Sequence, residues 1–393
     1  MTIERVFTIF KSMETIRTIP CKLIPAPHQA EAIDATIQAF ADACNWVAAW
    51  GREQHVSRQY DLHKGCYRAI RERFGLSANL AVRVIARVSP RLSKSKTRNS
   101  TFQPTSIDYD ARIFRFHEKD WSVGLTLLNG RVRIALKVGD FQLQALAGQN
   151  PTSATLVKKK KGYFLHIQVK EPLPDPLKTT GTLGVDLGIK NIATLSDGTT
   201  MGGETLNAYR LKRHKVRRSL QSKADKGAKS TRKNARRVLK RLSGKERRYQ
   251  SWINHQASKH IVEQAKEQQQ AIALEDLTGI RERTNRRLRK SQRGLHNTWS
   301  FYQLRQFIEY KAARAGIEVI PVNPAWTSQM CSQCLHIGTR SGVRFRCSNC
   351  GIELHADVNG AVNIATVGAA FVTRPEYSPL QCSLPQWAAE AAG

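Results

Sequence analysis

PVNPAWTSQMCSQCLHIGTRSGVRFRCSNCGIELHADVNGAVNIA, residues 321–365, carries two C-x-x-C units, Cys331/Cys334 and Cys347/Cys350, with twelve residues between them. Each tight turn points two sulfurs the same way, and the intervening residues are predicted to form a hairpin, so the four thiolates can close a tetrahedron around zinc. Four unrelated buried cysteines would rarely fall into this spacing by accident. Four thiolates leave no vacant position for a water, so the expected zinc is structural rather than catalytic. Directly after the knuckle, Asp357 stands at the predicted start of a helix, ADVNGAVNIA.

Working outward, the chain has 393 residues and is 41% hydrophobic, enough for two or three domains with cores of their own. No run of about 18 apolar residues occurs, and the N-terminus MTIERVFTIFKSMETIR carries charges through its apolar positions. The expectation is an intracellular, cytoplasmic protein with no membrane partner. Cys21, Cys44, Cys66 and Cys382 are scattered, as suits a reducing compartment in which the organised cysteines hold metal. The formal charge is +32, from 63 Lys and Arg against 31 Asp and Glu. A surplus that large asks for a polyanion, and nucleic acid fits better than a membrane, because the basic stretches lack the apolar face of an interfacial helix.

TIRTIPCKLIP (15–25) reads as a strand. From His28 the spacing becomes helical, with Ile33, Ile37, Phe40, Cys44, Val47 and Trp50 on one stripe, followed by helices expected at 63–74 and 77–92. Residues 106–170 return to strand patterns, with hairpin turns at Asn129-Gly130 and at Lys158 to Gly162. The three prolines of EPLPDPLK mark a domain boundary. Beyond it, GTLGVDLGIKNIATLSDGTT presents two short strands, QQQAIALEDL another, 297–315 a helix with Trp299, Tyr302, Leu304, Phe307, Ile308 and Ala312 on its stripe, and GIEVIPV a further strand.

Residues 207–250 hold 18 Lys or Arg against Asp225 and Glu246 alone, half of the net charge. Leu211, Val216, Leu220, Val238, Leu239 and Leu242 predict helices with one packed face, interrupted by a turn or loop at SKADKGAKS. Positive charge without balancing acids argues against a salt-bridged surface, and points Arg217, Arg218, Arg236 and Arg237 at a phosphate backbone. RERTNRRLRKSQR (281–293) adds seven more basic residues against one Glu.

Three acids recur in one context: Asp186 inside GVDLG, Glu275 ending AIAL, and Asp357 opening its helix. A lone buried acid costs several kcal/mol unless paired or bound to metal, although a turn position would leave any one of them solvated. Together they suit a site where carboxylates hold two magnesium ions, which take oxygen ligands.

At these residues the chain resembles TnpB, the insertion-sequence protein related to type V CRISPR effectors. The resemblance is carried by GVDLGIKNIATLSDG, LEDL, the WSFYQLRQFIEYKAARAGIEVIPVNPAWTSQ run, both C-x-x-C units and ADVNGAVNIA, in order over roughly 181–365. It implies an α+β multidomain chain: an N-terminal β-barrel-like lobe with an inserted helical bundle, then an RNase H-like (RuvC) α/β domain with an inserted four-cysteine zinc ribbon. The corresponding bounds are a wedge and recognition lobe at 1–176 with the helices at about 28–100, a RuvC-like domain at 177–325 and 354–370, a ribbon at 326–353 and a tail at 371–393. It implies a metal-dependent RNA-guided DNA endonuclease with Asp186, Glu275 and Asp357 as catalytic, magnesium-binding acids and Cys331, Cys334, Cys347 and Cys350 as zinc ligands. Its implied partners are a guide RNA from the transposon end and double-stranded target DNA, recognised through a short flanking motif. Leu335 departs from the family, which has Gly after the first C-x-x-C, while Gly351 keeps it after the second. A CRISPR-associated miniature effector, a non-catalytic zinc-containing nucleic-acid-binding protein and a DNA-joining transposase remain the alternatives.

Overall fold

A computed structural model describes residues 14–94, 99–277 and 300–373; the basic run at 281–293, Trp299 and most of the tail lie outside the described residues. The chain divides into two compact units, parting at Pro172/Leu173 inside the proline-rich EPLPDPLK segment.

The first unit begins with β1 (Glu14–Ile24), followed by three helices, α1 (Pro27–Glu53), α2 (Gln59–Phe74) and α3 (Ala78–Leu92). Pro27 starts α1 where its missing N–H costs nothing, and Ile33, Ile37, Phe40, Cys44 and Val47 are buried along the expected stripe. Gly75 ends α2 in the left-handed conformation, φ 63°, its N–H donating to the Arg71 carbonyl. The strands β2 (Ser106–Asp110), β3 (Phe114–His117), β4 (Ser122–Leu127) and β5 (Gly130–Lys137) come next. After them are a short helix α4 (Asp140–Leu146) and then β6 (Ser153–Lys159) and β7 (Gly162–Pro172). The seven strands are ordered β2-β6-β7-β1-β5-β4-β3. The expected barrel-like lobe is thus an open half-barrel, because β2 and β3 are edges that do not pair with each other. The inserted helices pack on it through one apolar core, and Arg83 and Arg87 of α3 reach Asp110 and Asp108 of β2.

The second unit is built on β8 (Gly181–Asp186), β9 (Asn191–Leu195) and β10 (Thr200–Gly202), then the helices α5 (Glu204–Lys226), α6 (Lys229–Leu242) and α7 (Lys245–Glu267). The strand β11 (Gln270–Glu275), helix α8 (Phe301–Arg314) and strand β12 (Val319–Val322) follow. The sheet runs β10-β9-β8-β11-β12, with β8–β9–β10 antiparallel and β11 parallel to both β8 and β12. Pro321, which cannot donate to a ladder, sits on the edge strand β12. The chain ends in a three-stranded ribbon, β13 (Thr339–Ser341), β14 (Arg344–Arg346) and β15 (Glu353–His355), and the helix α9 (Ala356–Thr373).

Helices cover both faces of this sheet. Leu183, Val185, Ile272 and Leu274 point into a core shared with Ala257 and Ile261 of α7 and Leu304 and Ile308 of α8. The alternate residues turn to α9: Ala273 packs with Ile364 and Val367, and a Cβ on Gly184 would lie 2.0 Å from the Ala361 carbonyl. Glycine is required there because the helix backbone rides directly on the strand.

Two expectations are refined. Of the two alternatives at SKADKGAKS the structure has the turn and not the loop: α5 runs through Lys226 and only Gly227 and Ala228 separate it from α6. Ser, Lys, Ala, Asp and Lys carry no helix-breaking backbone demand, so the turn falls at the glycine alone. The packed faces also shift, since Leu211 and Val216 are exposed, and α8 buries Phe301 instead of Tyr302, which is 63% exposed.

Candidate active site and zinc knuckle

Strand alternation decides which acids meet. Val185 and Leu274 are the last paired residues of β8 and β11, so Asp186 and Glu275 stand one step beyond, at the ends of neighbouring parallel strands. Both share the parity of Gly184 and Ala273 and therefore face α9, whereas Asp276 turns to the opposite face and is held by Arg305 of α8 at 2.7 Å. Asp357 comes to the same place from the first turn of α9. A Cβ at Gly360, one turn along, would stand 3.3 Å from Asp186 Oδ2, so the helix passes directly over that carboxylate.

Two of the acids, Glu275 and Asp357, are positioned by neighbours that sequence reading missed. Thr327 Oγ1 donates to Glu275 Oε1, Asn191 Nδ2 donates to Asp357 Oδ2 at 3.1 Å, and Arg340 Nη2 of β13 reaches Asp357 Oδ1 at 2.8 Å. Burial, followed by the charges of Glu275 and Asp357, pushes Asp186 up to about 7, against the lesser pull of Arg340. Burial raises Glu275 as well, opposed by the Thr327 hydrogen bond and by Arg340. Three acids with one guanidinium among them form a site short of positive charge.

In the knuckle, the four Sγ atoms of Cys331, Cys334, Cys347 and Cys350 all lie within 4.8 Å of one another, a group able to hold zinc. Among the described residues it is the group of metal-ligating side chains gathered that tightly. Its halves repeat one another. Leu335 N–H donates to the Cys331 carbonyl and Gly351 N–H to that of Cys347, while Cys331 and Cys347 donate to the His336 and Ile352 carbonyls. The backbone N–H of His336 brings the Cys334 thiol down to about 5, a ready thiolate.

Leu335 keeps the turn that Gly351 makes: its φ is 65° beside 72° for the glycine. A leucine there costs roughly 1–2 kcal/mol, offset by packing against the cluster of Met330, Val322 and Ile364. Accordingly, Leu335→Gly should change stability by less than about 1 kcal/mol, strain relief and lost burial opposing each other. Leu335→Ile should cost more, because β-branching is least tolerated at positive φ. Zinc retention against a chelator measures both; equal behaviour of the two variants would show that the turn is not under this constraint.

Two asparagines join the knuckle to α9. Asn359 is buried, donates to the Met330 carbonyl at 2.7 Å and accepts from Ser332 N–H at 2.9 Å; Asn363 donates to the carbonyls of Thr327 and Met330. Their signal was available as two amides four residues apart in an apolar helix. Arg340 and Thr327 offered none, since their partners lie 17 and 52 residues away. Arg217, Arg218, Arg236 and Arg237 are exposed on α5 and α6, with Glu246 at 3.6 Å from Arg217 and Asn234 accepting from Arg237. Among the described residues no helix is long and apolar enough to cross a membrane.

This α+β fold, with its half-barrel sheet and four-cysteine cluster, is that of the Cas12f1 class. A Cas12f1 solved as a complex with sgRNA and target DNA superposes with a TM-score of 0.64 at 15% identity, over 87% of this chain and 83% of that one. The family model described as Cas12f1-like, TNB domain matches residues 301–364, and the OrfB_IS605 model, described as probable transposase, matches 165–281. The chain is 34% identical over 237 residues to a CRISPR-associated endodeoxyribonuclease Cas12f1 of Sulfoacidibacillus thermotolerans, covering 56% of this chain and 54% of the relative. It is 29% identical over 261 residues to a TnpB-like protein of Methanocaldococcus jannaschii, covering 64% of this chain and 92% of that protein. A putative RNA-guided DNA endonuclease of Escherichia coli is 27% identical over 229 residues, 53% of this chain and 54% of the relative. The matched region thus spans about half the length of the first of these relatives and nearly all of the second. The chain is a relative of TnpB-like proteins and of Cas12f effectors, as the motifs implied.

Proposed function

We propose that this protein is an RNA-guided DNA endonuclease of insertion-sequence origin, with a RuvC-like site on an RNase H-like sheet. The observation that carries it is the meeting of Asp186, Glu275 and Asp357 at one end of β8, β11 and α9. The antiparallel β8–β9–β10 with β11 and β12 added in parallel supports the RNase H-like reading. We assign residues 177–325 and 354–370 to the nuclease domain, 326–353 to the zinc ribbon and 1–176 to the wedge and recognition lobe.

The acids fit magnesium: their donors are carboxylate oxygens, and burial raises both Asp186 and Glu275, as suits groups that a cation would hold ionised. Bound magnesium would activate water and stabilise charge at the leaving oxygen of a phosphodiester, yielding a 5′-phosphate. The chain's own part is to hold the carboxylates in place. Thr327 turns Glu275 toward the site, Asn191 and Arg340 each hold one oxygen of Asp357 and so fix the plane of its carboxylate, and α9 closes over Asp186. Guide RNA and double-stranded target DNA are the proposed partners, and the test is sequencing of the RNA that copurifies, followed by cleavage of a matching DNA with magnesium. Association with a CRISPR array instead of a transposon is the second reading, favoured by the Cas12f1 identity; the flanking genomic DNA decides.

The raised Asp186 has a consequence for stability. Its folded value, about 7, exceeds the ordinary 3.8, so the folded state binds the extra proton between those values. Stability from this group is therefore fully present below pH 4 and is lost as pH rises through 7. In chelator, Asp186→Asn should raise the stability of the protein at pH 8 by a few kcal/mol and flatten this dependence, while abolishing cleavage. Thermal unfolding against pH measures it, and magnesium should raise the midpoint of the wild type more than that of the variant.

On the basic arm, Arg217, Arg218, Arg236 and Arg237 are assigned to phosphate contacts. Changing all four to Gln should weaken binding to matched and mismatched targets alike and flatten the log–log salt slope, by about 0.9 per lost duplex contact or 0.7 on single strands. Target choice should not change, because pairing with the guide supplies it. Affinity measured against salt would sink the assignment if the slope stayed the same.

A further inference from the structure

The second unit carries an aromatic array that the acid site does not use. Tyr209 of α5 and Tyr249 of α7 have ring centroids 4.6 Å apart, and Tyr249 stacks on Trp252 at 6.0 Å with 19° between planes. The Arg213 guanidinium caps the other end, 4.9 Å from the Tyr209 ring. Trp252 is the open end: it is 54% exposed, although indole rings usually bury most of their area. Lys245, Arg247 and Arg248, all exposed, precede it in the first turn of α7. A large aromatic face left in water beside three exposed cations, with Glu246 the one acid in that turn and already beside Arg217, is the arrangement that binds single-stranded nucleic acid, bases on rings and phosphates on lysine and arginine.

Its place in the fold selects the strand. Only Gln268 and Gln269 separate α7 from β11, so the helix runs back antiparallel to the strand and its N-terminal half lies toward the end that bears Glu275. Five strand steps of about 3.3 Å match roughly eleven helix steps of about 1.5 Å, which brings residue 256 level with Glu275 and Trp252 about one turn beyond. The acids face α9, while Trp252 lies near the same end of the sheet on the outward face of α7, opposite its buried stripe of Asn254, Ala257 and Ile261, so a strand leaving the acids reaches it by rounding that end of the helix.

We propose that Trp252 receives an unpaired base of the single-stranded DNA presented for cutting, stacking it on the Tyr249–Tyr209 array a few nucleotides from the acids. This rests on the nuclease reading and adds a positioning residue to it. The test uses the full chain with its copurified RNA and three probes: oligothymidylate, the same backbone with abasic sites, and oligouridylate. Trp252→Leu should weaken oligothymidylate about five- to a hundredfold, the range for one lost stacking partner, and leave the abasic strand within twofold. Trp252→Tyr should restore most of the affinity, because a π-face returns. Tryptophan fluorescence should be quenched by oligothymidylate in the wild type and much less in Trp252→Phe.

Equal losses on abasic and normal strands would overturn the proposal, as would a larger effect on oligouridylate, which would make RNA the occupant. Self-association abolished by Trp252→Leu would show instead that a second copy covers the ring. A wild type that binds none of the probes sinks the nuclease reading itself; a wild type that binds them with Trp252→Leu unchanged sinks this inference alone.

Discussion

Glu275→Gln should lower target cleavage by on the order of a thousandfold while guide-dependent binding of the same DNA stays within about twofold, if the proposed nuclease site is right. The substitution keeps the shape of the side chain and its hydrogen bond from Thr327, and removes only the negative charge at the end of β11. On the proposed reading that charge serves metal retention, and a phosphate would be repelled by it, so its loss should fall on metal binding and not on affinity. Asp276→Asn is the control. Asp276 is adjacent in sequence but faces α8, paired with Arg305 at 2.7 Å, so its loss should cost stability, about 1 kcal/mol or less for a half-buried pair, and leave cleavage within a fewfold. The two variants are compared by single-turnover cleavage and by binding at matched protein concentration. Equal loss of cleavage from both would mean that strand parity does not choose between them.

Cys331→Ser and Cys347→Ser remove a thiolate from a centre whose binding free energy is on the order of 10 kcal/mol, and zinc content should fall to near nothing in each. Cleavage should fall too, by about ten- to a hundredfold, the usual range for losing a supporting shell. The route is visible in named bonds. The knuckle fixes Met330, whose carbonyl holds Asn359 and Asn363 of α9; Asn363 also holds the carbonyl of Thr327, whose hydroxyl holds Glu275; and the first strand of the knuckle carries Arg340, which holds Asp357. Loosening the ribbon therefore loosens two of the three acids. Metal analysis paired with a cleavage assay decides the matter, and a zinc-free variant cutting at the full rate would break the link between knuckle and site.

What could be read without a fold was whatever local spacing fixes. The cysteines fall under this heading because both C-x-x-C turns close within five residues, and even the leucine that replaces the usual glycine holds the same backbone, φ 65° against 72°. The helices α1 to α3 and the hairpins β4–β5 and β6–β7 were legible for the same reason, since apolar period and turn residues act over a few positions. The arm after β10 shows the limit of such reading: polar residues around one glycine left a turn and a loop both open, and the structure has the turn, with α5 continuing to Lys226 because nothing but the glycine opposes it.

Three acids could be suspected individually from their apolar surroundings, but bringing them together required the register of β8 on β11 and the passage of α9 over Gly184. Thr327, Asn191 and Arg340 stayed hidden because a hydrogen bond across 17 to 166 residues leaves no periodic trace. Whether the first lobe closes into a barrel was likewise undecided by any strand's pattern. It depends on which strands become neighbours, and with β1 placed between β7 and β5 the edges fall to β2 and β3, which leaves the sheet open. Local geometry is settled by residues a few positions apart; sheet order and site assembly are settled by which faces remain to be buried once those local pieces exist.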